Sequence, residues 1–98
     1  MFHHVVMMRY SEAADAAFHD RVRHYVERIR TESKGLVSFD HGSNGADRGK
    51  DYPWAVIGVF KTEADHDAYQ VSPAHVELRD YMTPVIEDMV VCDMTMEG

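Results

Sequence analysis

Runs of apolar residues predict strands along this chain, and regularly spaced apolar residues between the runs predict helices. Phe2–Tyr10, Trp54–Phe60 and Met89–Met96 are rich in consecutive apolar residues, which is typical of strands buried on both faces. Leu36–His41 is a weaker run of the same kind, and the polar stretch Gly42–Pro53 after it predicts a long hairpin loop. The pattern therefore predicts four strands, within a single domain covering residues 1–98.

The first helix is predicted between residues 11 and 31, where apolar residues recur at the spacing of one helix face. These residues are Phe18, Val22, Tyr25, Val26 and Ile29. Ser11 is the expected N-cap, and Gly35 is expected to end the helix.

Further helix starts follow the third strand. Thr62 and Asp65 have the spacing of a capping box. Ser72 precedes Pro73, and a serine cap with proline at the first helical position favours a helix start; Thr83-Pro84 repeats the pattern. The order of elements is then β-α-β-β-α-β. This order predicts an α+β, ferredoxin-like split-βαβ fold, with a four-stranded antiparallel sheet and the first and third strands at its centre.

Both faces of the first strand are apolar, which raises a packing problem. Val6, Met8 and Tyr10 lie on one face, whereas Val5 and Met7 lie on the other. Two or three helices can cover only one face of such a sheet. We therefore expect a second copy of the chain to cover the open sheet face, which would make a homodimer with a barrel-like core.

Composition and charge exclude several classes of function. The chain has 10 basic and 17 acidic residues, and its net charge of −7 disfavours nucleic acid and anionic membranes as partners. One cysteine, Cys92, excludes an internal disulfide framework. No apolar run approaches the roughly 20 residues that span a bilayer. A cytoplasmic protein is the expectation.

The candidate chemistry centres on residues 69–76. His75 is predicted in the first turn of a helix, where the helix dipole disfavours the imidazolium, and Tyr69 precedes that turn. A neutral imidazole near a phenol can act as a base with an acidic partner, or it can hold a polar ligand. Alternatively, His75 serves only its own helix turn, and Tyr69 packs in the core.

Seven histidines also raise the question of a metal site. His3 and His4 are neighbours on a strand and point to opposite faces, so they cannot both bind one ion within a single chain. The first helix contributes two acid–histidine pairs at a spacing of four residues, Asp15 with His19 and Asp20 with His24. Two-ligand pairs of this kind are typical of solvated helix faces, so no metal site is predicted.

Several segments resemble the stress-responsive α/β-barrel (Dabb) family. The resemblance covers nearly the whole chain and includes the opening strand His3–Tyr10, the strand end Val59-Phe60 and the terminal Val90–Asp93. The segment Tyr69–Val76, with the pattern Tyr-x-x-x-Pro-x-His-Val, is its most specific part. Members of that family are small dimeric α+β barrels, so the resemblance implies the same fold and assembly here.

The resemblance also implies roles for individual residues. One branch of the family contains a plant polyketide cyclase, which closes its substrate by an aldol condensation without a metal. A histidine and a tyrosine at the places of His75 and Tyr69 do the chemistry there, and a histidine at the place of His4 lines the pocket. The cyclase has histidine at the positions of Trp54 and Ser72, so the pocket of this chain has a different shape and polarity.

From the resemblance we expect a pocket between sheet and helices that binds a hydrophobic small molecule bearing a carbonyl or phenol group. Its expected ligand-binding residues are His4, Trp54, Val6, Met8, Phe18 and Val22. The alternative is a cofactor-free enzyme, similar to a polyketide cyclase or a monooxygenase, with His75 as general base and Tyr69 as oxyanion donor. Either function requires Tyr69 and His75 to open onto one cavity, and no cofactor is expected in either case.

Overall fold

A computed structural model describes residues 1–97 as one antiparallel sheet with helices packed on one of its faces. The elements are β1 (Phe2–Tyr10), α1 (Ala16–Glu32), β2 (Leu36–Ser43), β3 (Trp54–Phe60), α2 (Glu63–Gln70), α3 (Pro73–Met82), a 3-10 turn (Thr83–Val85) and β4 (Ile86–Thr95). The strand order β2-β3-β1-β4 places β1 and β3 at the centre of the sheet. The predicted α+β, ferredoxin-like arrangement is confirmed.

The start of α1 differs from the sequence prediction. Asp15 caps this helix, because its Oδ1 accepts a hydrogen bond from the backbone N–H of Phe18 over 2.8 Å. The hydroxyl of Ser11 instead accepts from the N–H of Ala13, in a turn that precedes the helix. Ser11 as N-cap was therefore wrong, since this extra turn separates it from the first helical residue.

Two strands are longer than the apolar pattern predicted. β4 begins at Ile86 instead of Met89, because Ile86 pairs with Tyr10 at the end of β1 after a shift in register. β2 continues to Ser43, which pairs with Trp54. In both cases the neighbouring strand extends the ladder into residues that are only weakly strand-like by themselves.

The hydrophobic core lies between the sheet and the helices. The apolar face of α1 is buried as predicted, and Val22 and Ile29 are completely inaccessible to solvent. Alternate residues of β1 point toward the helices, so His4 lies on the same buried face as Val6 and Met8. This register places a histidine inside an otherwise apolar layer.

The opposite sheet face, called the open face below, is apolar as well, as the sequence predicted. The strand register assigns to it Val5, Met7, Ile57, Val59, Val90, Cys92 and Met94. Ile57 is 47% exposed and Met94 is 51% exposed. No helix within residues 1–97 covers this face. Along the same residues, every helix is too short or too polar to cross a bilayer.

Candidate functional site

A cavity of about 340 Å³ opens between the sheet and the α2–α3 pair. Its apolar wall consists of Val6, Met8, Phe39, Val56, Leu78, Met82, Ile86, Met89 and Val91. Its polar groups come from His4, Tyr69, Gln70, His75, Arg79, Thr83 and Asp93. An apolar wall with a few converging polar groups is the usual composition of a small-molecule site.

The break between α2 and α3 brings Tyr69 and His75 together. α2 ends at Gln70, and Ser72 begins α3 by accepting a hydrogen bond from the backbone N–H of His75 over 3.3 Å. The chain turns between these two residues, so that the rings of Tyr69 and His75 lie 4.4 Å apart at their centroids. Both rings line the same cavity.

One backbone contact fixes the orientation of the His75 imidazole. Its Nδ1–H donates to the carbonyl oxygen of Gln70 over 2.9 Å, which leaves the lone pair on Nε2. Burial is the largest influence on the pKa of His75 and lowers it; the Gln70 carbonyl acts in the opposite direction. The imidazole is therefore neutral near pH 7, as a general base requires.

Tyr69 is buried and protonated. Its ring packs against Phe39 and Phe60, and only 4% of its surface is exposed. Burial raises the pKa of its phenol, so the hydroxyl stays a hydrogen-bond donor. Within residues 1–97 this hydroxyl has no hydrogen-bond partner, although Tyr69 lines the cavity.

His4 and Asp93 form a second polar pair in the cavity. The Nδ1–H of His4 donates to Oδ1 of Asp93 over 2.6 Å, and the ring of His4 lies 5.9 Å from that of Tyr69. Burial is the largest influence on the pKa of His4 and lowers it, while the Asp93 carboxylate offsets part of this effect. Sequence reasoning missed Asp93 as a site residue. The signal available in the sequence was an acidic residue two positions after Val91 in an apolar strand. This spacing places the carboxylate on the same, helix-facing side of the strand as Val91.

The structure gathers five of the eight predicted site residues around the cavity, and these are His4, Val6, Met8, Tyr69 and His75. Phe18 and Val22 do not line it, because both are buried in the core on the inner face of α1. Trp54 also lies outside the lining. Its indole stacks on the ring of His41 in β2, with 5.3 Å between the ring centroids. This places it away from the β4 side of the sheet, where the cavity opens. These three residues therefore lie outside the lining of this cavity, and their contact with a ligand stays a prediction.

Trp54 belongs instead to a cluster that sequence reasoning missed, formed with Tyr10, His19 and His41. The Tyr10 hydroxyl and Nε2 of His41 are hydrogen-bonded over 2.8 Å, and His19 stacks on Trp54 at 4.4 Å. Burial, with smaller contributions from His19 and Arg23, lowers the pKa of His41 to about 4. Neither predicted acid–histidine pair of α1 is arranged for chelation, since Asp15 caps the helix and Asp20 pairs with Arg23.

Fold and cavity together define a small ferredoxin-like α+β protein with a cavity between sheet and helices. The sequence profile of the Stress Responsive A/B Barrel Domain (Dabb) family matches residues 2–96. The chain belongs to this family, which confirms the resemblance seen in its sequence. No curated protein matches the chain.

Solved structures with the same fold are distant in sequence. A protein of Arabidopsis thaliana is 14% identical with a TM-score of 0.85, and the match covers 100% of this chain and 97% of that one. A hydroxynitrile lyase from Passiflora edulis is 19% identical with a TM-score of 0.84, covering 98% and 93%. A dimeric ferredoxin-like protein of unknown function from a Jannaschia species is 22% identical with a TM-score of 0.85, covering 97% and 98%. At these identities the likeness establishes the fold alone.

Proposed function

We propose that this chain binds a hydrophobic small molecule, bearing a carbonyl or phenol group, in the cavity between the sheet and α2–α3. The observation that carries the proposal is that Tyr69 and His75 line one cavity, with their ring centroids 4.4 Å apart. A protonated phenol beside a free Nε2 lone pair suits a ligand phenol, which can donate to Nε2 and accept from Tyr69, whereas a ligand carbonyl can accept from Tyr69.

The size and lining of the cavity support a small apolar ligand. Its volume of about 340 Å³ lies at the lower end of the range of ligand pockets. Met8, Met82 and Met89 contribute flexible, polarisable side chains, which adapt to an irregular apolar surface.

A second candidate function is catalysis without a cofactor, and the fixed orientation of His75 favours it. Nε2 of His75 takes a proton from a carbon next to the ligand carbonyl, and the C–H electron pair moves onto the carbonyl oxygen. The Tyr69 hydroxyl donates a hydrogen bond to the enolate oxygen that forms. The enolate carbon then attacks a second carbonyl of the same molecule while the enolate oxygen returns to a carbonyl, and the alkoxide that forms takes the proton back from His75, as in a polyketide cyclase. The hydroxynitrile lyase from Passiflora edulis supports this candidate as an enzyme with the same fold.

We also propose that the chain forms a homodimer through the open face. Contiguous apolar surface of this kind on a sheet marks an interface, and a second copy supplies a matching surface. Similar proteins from Jannaschia and from Thermobifida fusca are described as dimeric, which supports the same assembly. A cytoplasmic location remains a prediction.

Ligand-observed NMR tests the binding site. We would screen neutral aromatic and polyketide-like ketones and phenols against the wild type, His75→Ala and Tyr69→Phe, with His24→Ala as the control at an exposed position. We expect the wild type and His24→Ala to bind the same compounds. Tyr69→Phe should bind both classes of compound, and His75→Ala should bind the phenols, at least roughly fivefold more weakly, the loss expected for one hydrogen bond.

Two results would contradict the proposal. If the wild type binds none of the compounds, the cavity has no such ligand and His75 serves its helix turn only. Equal binding by the wild type and both cavity variants would place the ligand elsewhere. If binding is confirmed, proton exchange at the ligand carbon next to the carbonyl, measured in heavy water, tests His75 as a base.

A further inference from the structure

Three side chains of metal-ligand type converge where β1, α2 and β4 meet: His4, His66 and Asp93. One nitrogen or oxygen atom from each lies within 4.8 Å of the other two. They come from positions far apart in sequence and from three different elements. We propose that this cluster binds one divalent transition-metal ion at the side of the cavity.

His66 is the member that purely structural packing explains least. It lies on the inner side of α2, is 6% exposed, and its ring lies 4.6 Å from Phe2 and 4.7 Å from His4. Its Nδ1 is buried without a hydrogen bond, 3.4 Å from the exposed carboxylate of Asp67, and its Nε2 is hydrogen-bonded to the side-chain amide of Gln70 over 3.0 Å. An apolar residue would fill this position at no polar cost, whereas a buried nitrogen without a hydrogen bond is left with an uncompensated loss of hydration. A ligating role gives the buried imidazole a reason to be there.

The donor types select the class of ion. Two imidazoles and one carboxylate are the set found in three-ligand zinc sites and in non-haem iron sites, both of which leave coordination positions open. Mg²⁺ and Ca²⁺ prefer oxygen ligands and fit this set poorly. His4 and Asp93 also line the cavity, so an ion held here can be reached by a ligand that enters it.

Binding requires a rearrangement of the three side chains. Ligand atoms around one zinc ion lie about 3–4 Å apart, whereas Nδ1 of His4 and Oδ1 of Asp93 are hydrogen-bonded over 2.6 Å, so the carboxylate must leave this hydrogen bond when the ion binds. Asp93 has the freedom to do this, because its side chain is 39% exposed at the cavity mouth. Its hydrogen bond to His4 shows that the carboxylate already reaches the imidazole.

Titration of the metal-stripped protein with Zn²⁺ tests the inference, with calorimetry for affinity and Co²⁺ absorption for coordination. We expect one ion per chain. His66→Phe keeps a ring between Phe2 and His4, and Asp93→Asn keeps the shape of the carboxylate; each should weaken Zn²⁺ binding by at least roughly 100-fold. The controls His3→Ala, beside His4 on the other sheet face, and His24→Ala, on the surface of α1, should bind Zn²⁺ as the wild type does.

Side-chain ¹⁵N NMR of the wild type gives a second readout, which does not depend on the folding of any variant. Zn²⁺ should shift the imidazole nitrogens of His4 and His66 and leave those of His3 and His24 in place. Binding only in the millimolar range would overturn the inference, as would shifts confined to other histidines or equal affinity in His66→Phe. Ketone binding is also measured in the presence of a chelator, which keeps the two proposals separate. If ketones bind but Zn²⁺ does not, only the proposed metal site is disproved and the proposed ligand site stands.

Discussion

His75 has two roles that the sequence presented as alternatives, and the contacts of this one residue separate them. Its backbone N–H belongs to the helix start, where it donates to Ser72. Its side chain takes no part in that cap; Nδ1–H donates to Gln70, and the ring lines the cavity. A helix-start residue is thus also available to a ligand, because backbone and side chain are satisfied by different partners.

Gly35 is a second residue whose identity is set by local geometry. Its φ is +74°, in the left-handed region, and a Cβ at this position would lie 2.2 Å from the carboxylate of Asp65. That carboxylate is held by the hydroxyl of Thr62 at the start of α2. We expect Gly35→Ala to lower the free energy of unfolding by about 1–3 kcal/mol. Gly45→Ala, where a Cβ meets nothing within 4 Å, is the matched control for urea denaturation. Equal stability of the two variants would mean that this turn relaxes freely.

Among the elements, the ends of β1, β2 and β3 are tied to α1 by the cluster of Tyr10, His19, His41 and Trp54. The indole of Trp54 stacks on the histidines, and Tyr10 is hydrogen-bonded to His41. Burial in this cluster is the largest cause of the low pKa of His41, so its imidazole is neutral near pH 7.

The pH dependence of stability should report this cluster. The pKa of His41 is about 4 in the folded chain and 6.5 in the unfolded chain. Between these values the unfolded chain binds the extra proton, so the contribution of His41 is complete above pH 6.5 and is lost as the pH falls toward 4. We expect a loss of at most about 3 kcal/mol over this window, reduced by partial exposure.

His41→Phe isolates that contribution, because it keeps a ring beside Trp54 and cannot titrate. Urea denaturation at several pH values, followed by circular dichroism, should give a flatter curve between pH 6.5 and 4 for His41→Phe than for the wild type. His24→Ala, at an exposed position of α1, should keep the wild-type curve. If the free energy of unfolding depends on pH in the same way for His41→Phe and the wild type, protonation of His41 does not destabilise the folded chain.

The molecule has two layers, the sheet and the helices that pack on one of its faces. The other face of the sheet, the open face, is apolar as well. Val5 lies at the centre of the open face, between Ile57 on β3 and Cys92 on β4. Its neighbours on this face are half exposed in a single chain, so covering them would bury apolar area at about 25 cal/mol per Å². This gain is the driving force of the proposed dimer.

Val5→Asp tests the assembly. It would bury an unpaired carboxylate against the partner sheet, so we expect it to convert the dimer to a folded monomer in light scattering. Val71→Asp places the same charge on a residue that is 78% exposed between α2 and α3, and it should remain dimeric. A dimeric Val5→Asp would mean that the interface lies elsewhere, and a monomeric wild type would remove the dimer altogether.

Much of the fold was predictable because its signals are local. The spacing from Phe18 to Ile29 predicted the buried face of α1, and the caps at Thr62 and Ser72 predicted the starts of α2 and α3. Each of these signals depends on residues within about three helical turns of one another. The start of α1 was missed because Ser11 and Asp15 both satisfy the capping pattern, and only the turn between them decides which residue caps.

The site was predictable only where it coincides with a local motif. Tyr69 and His75 share one helix–helix junction, so their proximity follows from the sequence between them. Asp93 meets His4 across 89 positions, and His66 reaches the same point from a third element. No local pattern contains those contacts, which is why only neighbouring residues, His3 with His4 and the acid–histidine pairs within α1, were weighed as metal ligands.

The sequence by itself therefore determined the elements, their order, the two apolar faces of the sheet and the junction that carries Tyr69 and His75. Tertiary structure alone decided that Trp54 stacks on His41, that Phe18 and Val22 lie outside the cavity, and that His4, His66 and Asp93 meet. The physical reason is that hydrophobic periodicity and capping act over a few residues. The register between strands and the lean of a side chain are instead set by packing among elements distant in the chain.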